Sequence, residues 1–137
     1  MAIIGLLISI SVPSMVGYAK QARLKGATRE VVGLLSLARS SAISSRAPKT
    51  VVVEPDERQL LLETGEGEEP SRVVKLSSII DVAVKLQGEA EDAAGPWRLV
   101  FQPTGALAGR SASLTLSNGA NTQTITVTST TGAIFVQ

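Results

Sequence analysis

Two loop-like segments contain the side chains with the clearest potential for chemistry in this chain of 137 residues. Each places three carboxylates close together near glycine or proline: Glu66, Glu68 and Glu69 in the first, and Glu89, Glu91 and Asp92 in the second. Carboxylates at such spacing can bind a divalent cation or act as a general acid and base. We interpret both segments as solvated acidic loops, because the glycine and proline around them favour turns.

The rest of the composition offers these carboxylates no chemical partners. The chain contains no His and no Cys, which removes the commonest general base and metal ligand as well as thiol chemistry and disulfides. It also lacks a nucleophile motif of the G-x-S-x-G type. We therefore predict that the protein is not an enzyme, and we expect no cofactor and no metal site.

Residues 2–19 form an uncharged N-terminal run, AIIGLLISISVPSMVGYA. A helix needs roughly 17–25 apolar residues to cross a bilayer, so this run is predicted to be a membrane or filament-core anchor. A cleaved signal peptide is one alternative, although no basic residues precede the run. A buried core helix is the other, although a small domain rarely encloses a helix that is apolar all round.

Within the anchor, small residues and a proline indicate contacts between helices. Pro13 removes a helix hydrogen bond, which neighbouring helices can compensate in a membrane. Gly5 and Gly17 would let another helix approach closely. The predicted assembly residues are Ile4, Gly5, Leu7, Ile8, Pro13 and Gly17; the alternative for all of them is ordinary lipid contact.

From Lys20 the helix is predicted to continue as an amphipathic segment to residue 47, where Pro48 disfavours further helix. Apolar residues recur there every three or four positions, which is the period of one helix face: Leu24, Ala27, Val31, Leu35, Ala38 and Ala42. We divide the chain into a long N-terminal helix at 1–47 (anchor 1–19, amphipathic half 20–47) and a β-rich head at 48–137.

Charge is distributed unevenly between these two parts. Residues 1–49 contain seven Lys or Arg and one acid, whereas residues 50–137 contain six and eleven. The cations of the head are scattered along it, at Arg58, Arg72, Lys75, Lys85, Arg98 and Arg110. Nucleic-acid binding needs clustered cations, because phosphate contacts dominate its affinity, so we do not expect a nucleic-acid partner.

After Pro48 the pattern changes to short strands separated by turns. Pro55-Asp56-Glu57-Arg58 and Asn118-Gly119 are turn signals of the hairpin kind. Strands are predicted at 49–54, 59–64, 73–77, 79–87, 97–102, 111–117, 122–128 and 133–137. A long helix followed by such strands predicts an α+β class with antiparallel sheets.

Several stretches together resemble a known family. AIIGLLISISVP resembles the inner half of the N-terminal segment of type IV pilins and type II secretion pseudopilins. The end of the helix resembles the minor pseudopilin H (GspH) and FimT/FimU branch at Leu37, Ala38, Arg39, Ala42, Ile43, Arg46 and Pro48. WRLVFQPTGALAG and ITVTSTTGAIFV resemble a strand and turn and the closing strand of that branch.

The resemblance implies a pilin-like fold and a minor subunit of a type II secretion pseudopilus or type IV pilus, with a structural role in assembly and protein secretion. Such subunits pack with other pilins or pseudopilins through the N-terminal helix, and in the secretion version they act on secreted proteins. The implied location is the bacterial inner membrane, single-pass, with the head in the periplasm. The alternative is a DNA-binding minor pilin of natural transformation.

Two features depart from the family pattern. Members carry a basic leader, a cleavage site and a mature, methylated N-terminus that reads like FTLIE, so the chain is expected to be truncated relative to them. Lys20, Arg23 and Lys25 follow the anchor, and the positive-inside rule would place the head in the cytoplasm, whereas the resemblance implies the periplasm.

Overall fold

One long helix lies across two antiparallel sheets in this computed structural model, which describes residues 2–63, 69–88 and 95–137; the side chains of residues 2–14 and 16 lie outside the described part. The helix, α1, spans Ala2–Ser45. The strands are β1 (Lys49–Glu54), β2 (Gln59–Glu63), β3 (Arg72–Lys75), β4 (Asp81–Leu86), β5 (Trp97–Phe101), β6 (Ala112–Ser117), β7 (Thr122–Val127) and β8 (Ile134–Val136). The predicted α+β class with antiparallel sheets is confirmed.

Each sheet contains four strands, in the orders β3-β2-β1-β5 and β4-β6-β7-β8. The chain leaves the first sheet after β3, adds β4 to the second, and returns to pair β5 with β1. In the first sheet Val51 lies between Leu62 and Leu99. In the second, Leu114 lies between Val84 and Ile125. Alternate residues therefore direct their side chains to one face of each sheet, toward a shared core.

The amphipathic part of α1 fills the space over both sheets. All six apolar positions expected to form one helix face are buried, and Leu34 is buried with them. Strand residues from both sheets, including Phe101 and Ile125, belong to the same cluster. Thr28 is the one buried polar residue among the described side chains, and its hydroxyl donates to the Leu24 carbonyl at 2.8 Å within the helix.

The helix ends two residues earlier than the sequence pattern predicted. Arg46 adopts a left-handed conformation with φ of 52° directly after Ser45. A left-handed residue at this position is a common way to end a helix, and Pro48 then prevents its continuation. The chain is thereby turned into β1 at Lys49.

Candidate assembly surface

The end of α1 is joined to the head by one arginine. Arg39 donates from Nε to the Gly105 carbonyl at 3.2 Å and from Nη2 to the Thr131 carbonyl at 3.1 Å. We call these two hydrogen bonds the Arg39 bridge. It connects the helix to the turn after β5 and to the turn between β7 and β8, so three of the four stretches that carry the family resemblance meet at one point.

Glycine is required where these two turns touch. Gly105 is buried with φ of 89°, and an added Cβ would lie 3.0 Å from the Ile43 side chain. Gly132 has φ of 68°, and an added Cβ would overlap the Gly105 carbonyl oxygen. Positive φ is accessible to glycine at little cost. The two turns can therefore pack closely enough for one guanidinium to reach both carbonyls.

The N-terminal part of α1 extends beyond the head. Among the described side chains of α1, Leu24 is the buried one nearest the N-terminus, and four residues before it Asn118 Nδ2 of the head donates to the Lys20 carbonyl at 3.3 Å. We call residues 2–23 of α1 the stem. Its backbone is helical throughout, and at about 1.5 Å per residue it is roughly 33 Å long.

The side chains described on the stem are exposed. Met15 and Tyr18 are 72% and 77% exposed, and a Cβ added at Gly17 would meet no atom within 4 Å. Of the predicted assembly residues, only Gly17 lies among the described side chains. Ile4, Gly5, Leu7, Ile8 and Pro13 lie outside them, so their role stays a prediction. Among the described residues, no helix has the length and apolar character needed to cross a membrane.

The acidic loops lie almost entirely outside the described residues. Glu69 is described and exposed, whereas residues 64–68 and 89–94 are not described. Among the residues that are, no group of three or more acidic side chains is close enough to hold a metal ion.

Two of the scattered head cations are paired with acids. Arg58 contacts Asp81 at 3.0 Å and Arg98 contacts Glu63 at 2.9 Å. Paired cations have part of their charge neutralised, which weakens any attraction to phosphate. The geometry thus gives the DNA-binding alternative no support.

Comparison with known proteins agrees with the fold and its long helix. Residues 27–131 match the family model described as type II transport protein GspH. The chain belongs to this family. The prediction of a GspH-like minor subunit with a structural role in a pilus or pseudopilus is thereby confirmed, and the DNA-binding alternative is not favoured. Family membership also implies that the chain assembles with other pilin or pseudopilin subunits.

Solved structures of two bacterial proteins share the fold of this GspH-family chain. The type IV minor pilin FimU of Pseudomonas aeruginosa aligns with a TM-score of 0.69 and 19% identity, over 88% of this chain and 92% of FimU. The minor pseudopilin EpsH of the Vibrio cholerae type 2 secretion system aligns with a TM-score of 0.66 and 15% identity, over 83% of this chain and 94% of EpsH. At these identities the likeness concerns the fold. No curated protein matches the sequence.

The sequence did not reveal the role of Arg39. It belongs to the helix-end pattern that carries the resemblance, but taken alone it is one more cation on a polar helix face. Its partners lie 66 and 92 residues further along the chain. The signal that could have found it is the presence of two glycine turns, at Gly105 and Gly132, in the stretches that resemble the same family.

Proposed function

We propose that this GspH-family chain is a minor subunit whose stem is embedded in the bacterial inner membrane before assembly and in the filament core afterwards. In this proposal the chain crosses the membrane once, with residues 1–19 as the anchor and the head on the periplasmic side. The subunit acts by packing against sister subunits and performs no catalysis. A pilus and a secretion pseudopilus both fit this role.

The observation that carries the proposal is the exposure of those stem side chains that the structure describes. Among the described side chains of α1, those before Leu24 are exposed and burial against the head begins at Leu24, so the described side chains of the stem add nothing to the core of the head. Residues 2–19 of the stem contain no charge, and at about 1.5 Å per residue this run is roughly 27 Å long, close to the roughly 30 Å of a bilayer core. An apolar helix of this kind is stable only where lipid or other helices surround it.

Gly17 offers the sharpest test, because its surroundings in the isolated subunit are open. Gly17 is exposed and an added Cβ meets no atom within 4 Å, so Gly17→Leu is expected to leave the head as stable as in the wild type. In a filament the same leucine would separate helices that pack through small residues. We expect at least a tenfold reduction of the variant in sheared filaments, measured by immunoblotting.

Gly26→Leu is the matched control. Gly26 is also helical with open space around it, but it lies within the part of α1 that the head covers, so this variant should enter filaments normally. Head stability of both variants is checked by urea denaturation followed through the fluorescence of Trp97, the single tryptophan. If Gly17→Leu enters filaments as well as the control does, close packing at the stem is refuted.

A further inference from the structure

One of the four sheet edges differs from the others in charge. The strands at the edges are β3 and β5 in the first sheet and β4 and β8 in the second. Three of them carry charged side chains: Arg72 and Lys75 on β3, Arg98 on β5, and Asp81 and Lys85 on β4. The edge strand β8, with the sequence IFV, carries none. Charged side chains are a common means of keeping an edge from pairing with another chain, and β8 lacks that protection.

The backbone of β8 is directed so that another strand can pair with it. Gln137 and Thr124 exchange both of their backbone hydrogen bonds, at 2.8 and 3.2 Å, and Thr128 donates to the Ala133 carbonyl at 3.0 Å. In an antiparallel pair such residues alternate with residues whose backbone groups point to the other side. The N–H and C=O groups of Ile134 and Val136 are therefore directed away from β7, and no strand among the described residues pairs with them.

A groove runs beside this edge. It has a volume of about 410 Å³ and lies between α1 and the end of the second sheet. Val32 and Gly33 line it on the helix, and Val136 lines it on β8. Because side chains alternate along a strand, Phe135 lies on the opposite face of the sheet. Val136 is 48% exposed and Phe135 is 55% exposed, so β8 presents apolar surface on both faces.

Two cations give the groove a positive charge. Lys25 and Arg29 line it, both are exposed, and neither has an acidic partner among the described residues. A segment lying in the groove would therefore gain from a carboxylate directed toward the helix. We call the β8 edge together with this groove the edge groove.

We propose that the edge groove binds an extended segment of a different filament subunit, which adds as a strand to β8. The segment would place apolar side chains at alternate positions under α1 and a carboxylate beside Lys25 and Arg29. Unpaired N–H and C=O groups two residues apart select a polypeptide strand over a lipid or a small molecule. The proposal rests on the proposed function, because it names the partner that the head of an assembling subunit contacts.

Charge argues against a second copy of this chain as the occupant. The edge strand β3 would bring Arg72 and Lys75 toward Lys25 and Arg29, and like charges facing each other across an interface disfavour association. The edges of β4 and β5 also carry cations, Lys85 and Arg98, and the one carboxylate on these strands, Asp81, is already paired with Arg58. The β8 edge of a second copy has no carboxylate to place beside Lys25 and Arg29. A sister subunit of different sequence avoids this repulsion.

The test uses the full chain in detergent micelles and a synthetic peptide of about seven residues, which is an ordinary strand length. In the peptide, valine alternates with threonine and glutamate stands at both ends; a second peptide has lysine at both ends. Backbone NMR is expected to show saturable shifts for Val32, Ile134 and Val136 with the glutamate peptide, and binding at least tenfold weaker with the lysine peptide. Shifts confined to other parts of the chain would overturn the proposal.

Two variants locate the binding site. Val136→Pro removes an N–H that points away from β7, so it should leave the sheet intact. Because the same N–H would pair with the added strand, the variant should bind the glutamate peptide at least tenfold more weakly. Phe135→Ser changes the opposite face of the same strand and should bind the peptide as the wild type does. Unchanged binding by Val136→Pro would overturn the pairing to β8.

Charge reversal tests the predicted carboxylate. The double variant Lys25→Glu, Arg29→Glu should prefer the lysine peptide, whereas Arg23→Glu, a reversal outside the groove, should keep the wild-type preference. Shifts at Ile134 and Val136 that grow with protein concentration in the absence of peptide would identify a second copy as the occupant and refute the proposal. Because peptide binding is measured without filaments, its failure is distinguishable from a failure of the Gly17→Leu assembly test.

Discussion

The Arg39 bridge makes a prediction about the stability of the head. Arg39→Met keeps a long unbranched side chain that can pack where the arginine stem lies but removes both hydrogen bonds to the Gly105 and Thr131 carbonyls. Both turns would then lose their hydrogen bonds to the Arg39 side chain. We expect the free energy of unfolding to fall, with no change in the fold.

The magnitude follows from the two bonds. Hydrogen bonds to charged groups contribute about 1.5–3 kcal/mol each, and solvent reduces that value for exposed ones. The bond to Gly105 is partly buried and the bond to Thr131 is exposed, so we estimate a loss of about 2–3 kcal/mol. That is a large fraction of the 5–15 kcal/mol that stabilises a typical domain, and it would lower the melting temperature by roughly 10 °C.

The assay is urea denaturation of the full chain in detergent micelles, followed through Trp97 fluorescence. The midpoint should fall while the dependence on urea stays the same, which indicates a change in stability alone. Arg39→Lys should lose about half as much, because one ammonium group cannot span both carbonyls as the planar guanidinium does. Arg23→Met removes an exposed cation from the same helix and should change stability by less than about 0.5 kcal/mol. Equal effects of Arg39→Met and Arg23→Met would refute the reasoning.

The remaining predictions use the same titration. Gly132→Ala should lower the free energy of unfolding by more than about 3 kcal/mol. The added Cβ would overlap the Gly105 carbonyl oxygen, and alanine is also strained at the positive φ of this position. Gly119 also has a positive φ, of 88°, but a Cβ added there would meet no atom within 4 Å, so Gly119→Ala should lower the free energy of unfolding by only about 1–2 kcal/mol. If Gly132→Ala destabilises the head no more than Gly119→Ala does, the close approach of the two turns is contradicted. Asp81→Asn removes one partner of a surface ion pair whose carboxylate side chain is 73% exposed and should cost less than about 1 kcal/mol; a larger loss would mean that the pair is not screened.

Local sequence signals were sufficient to predict which faces of the helix and of the strands are buried. The six positions assigned to the buried helix face are all buried because a period of 3.6 residues directs them to one side. Apolar residues alternate along the predicted strand at 97–102, which indicates that Trp97, Leu99 and Phe101 share one face; Leu99 and Phe101 are buried there and Trp97 is partly buried. Both assignments depend only on side-chain direction within one element, which the sequence determines directly.

The arrangement of the strands in two sheets required information that local patterns do not contain. Alternation marks β4 and β5 as strands, but it does not say that β4 joins β6 or that β5 returns to β1. Those pairings close long loops and depend on how α1 covers both sheets. For the same reason the Arg39 bridge was missed: its carbonyl partners become neighbours only after the sheets have formed.

A subunit of an assembly must fold alone and still leave surfaces that only a partner completes. In this chain the edges of β3, β4 and β5 carry charges that oppose pairing, and the interior is filled from Leu24 onward. Two regions among the described residues differ from this. The stem around Gly17 is not covered by the head, and the edge of β8 carries no charge that opposes pairing. Neither strengthens the isolated head, and an exposed apolar edge carries a risk of aggregation. The two proposed contacts, between helices at the stem and between heads at β8, would cover both regions at two levels of one assembly.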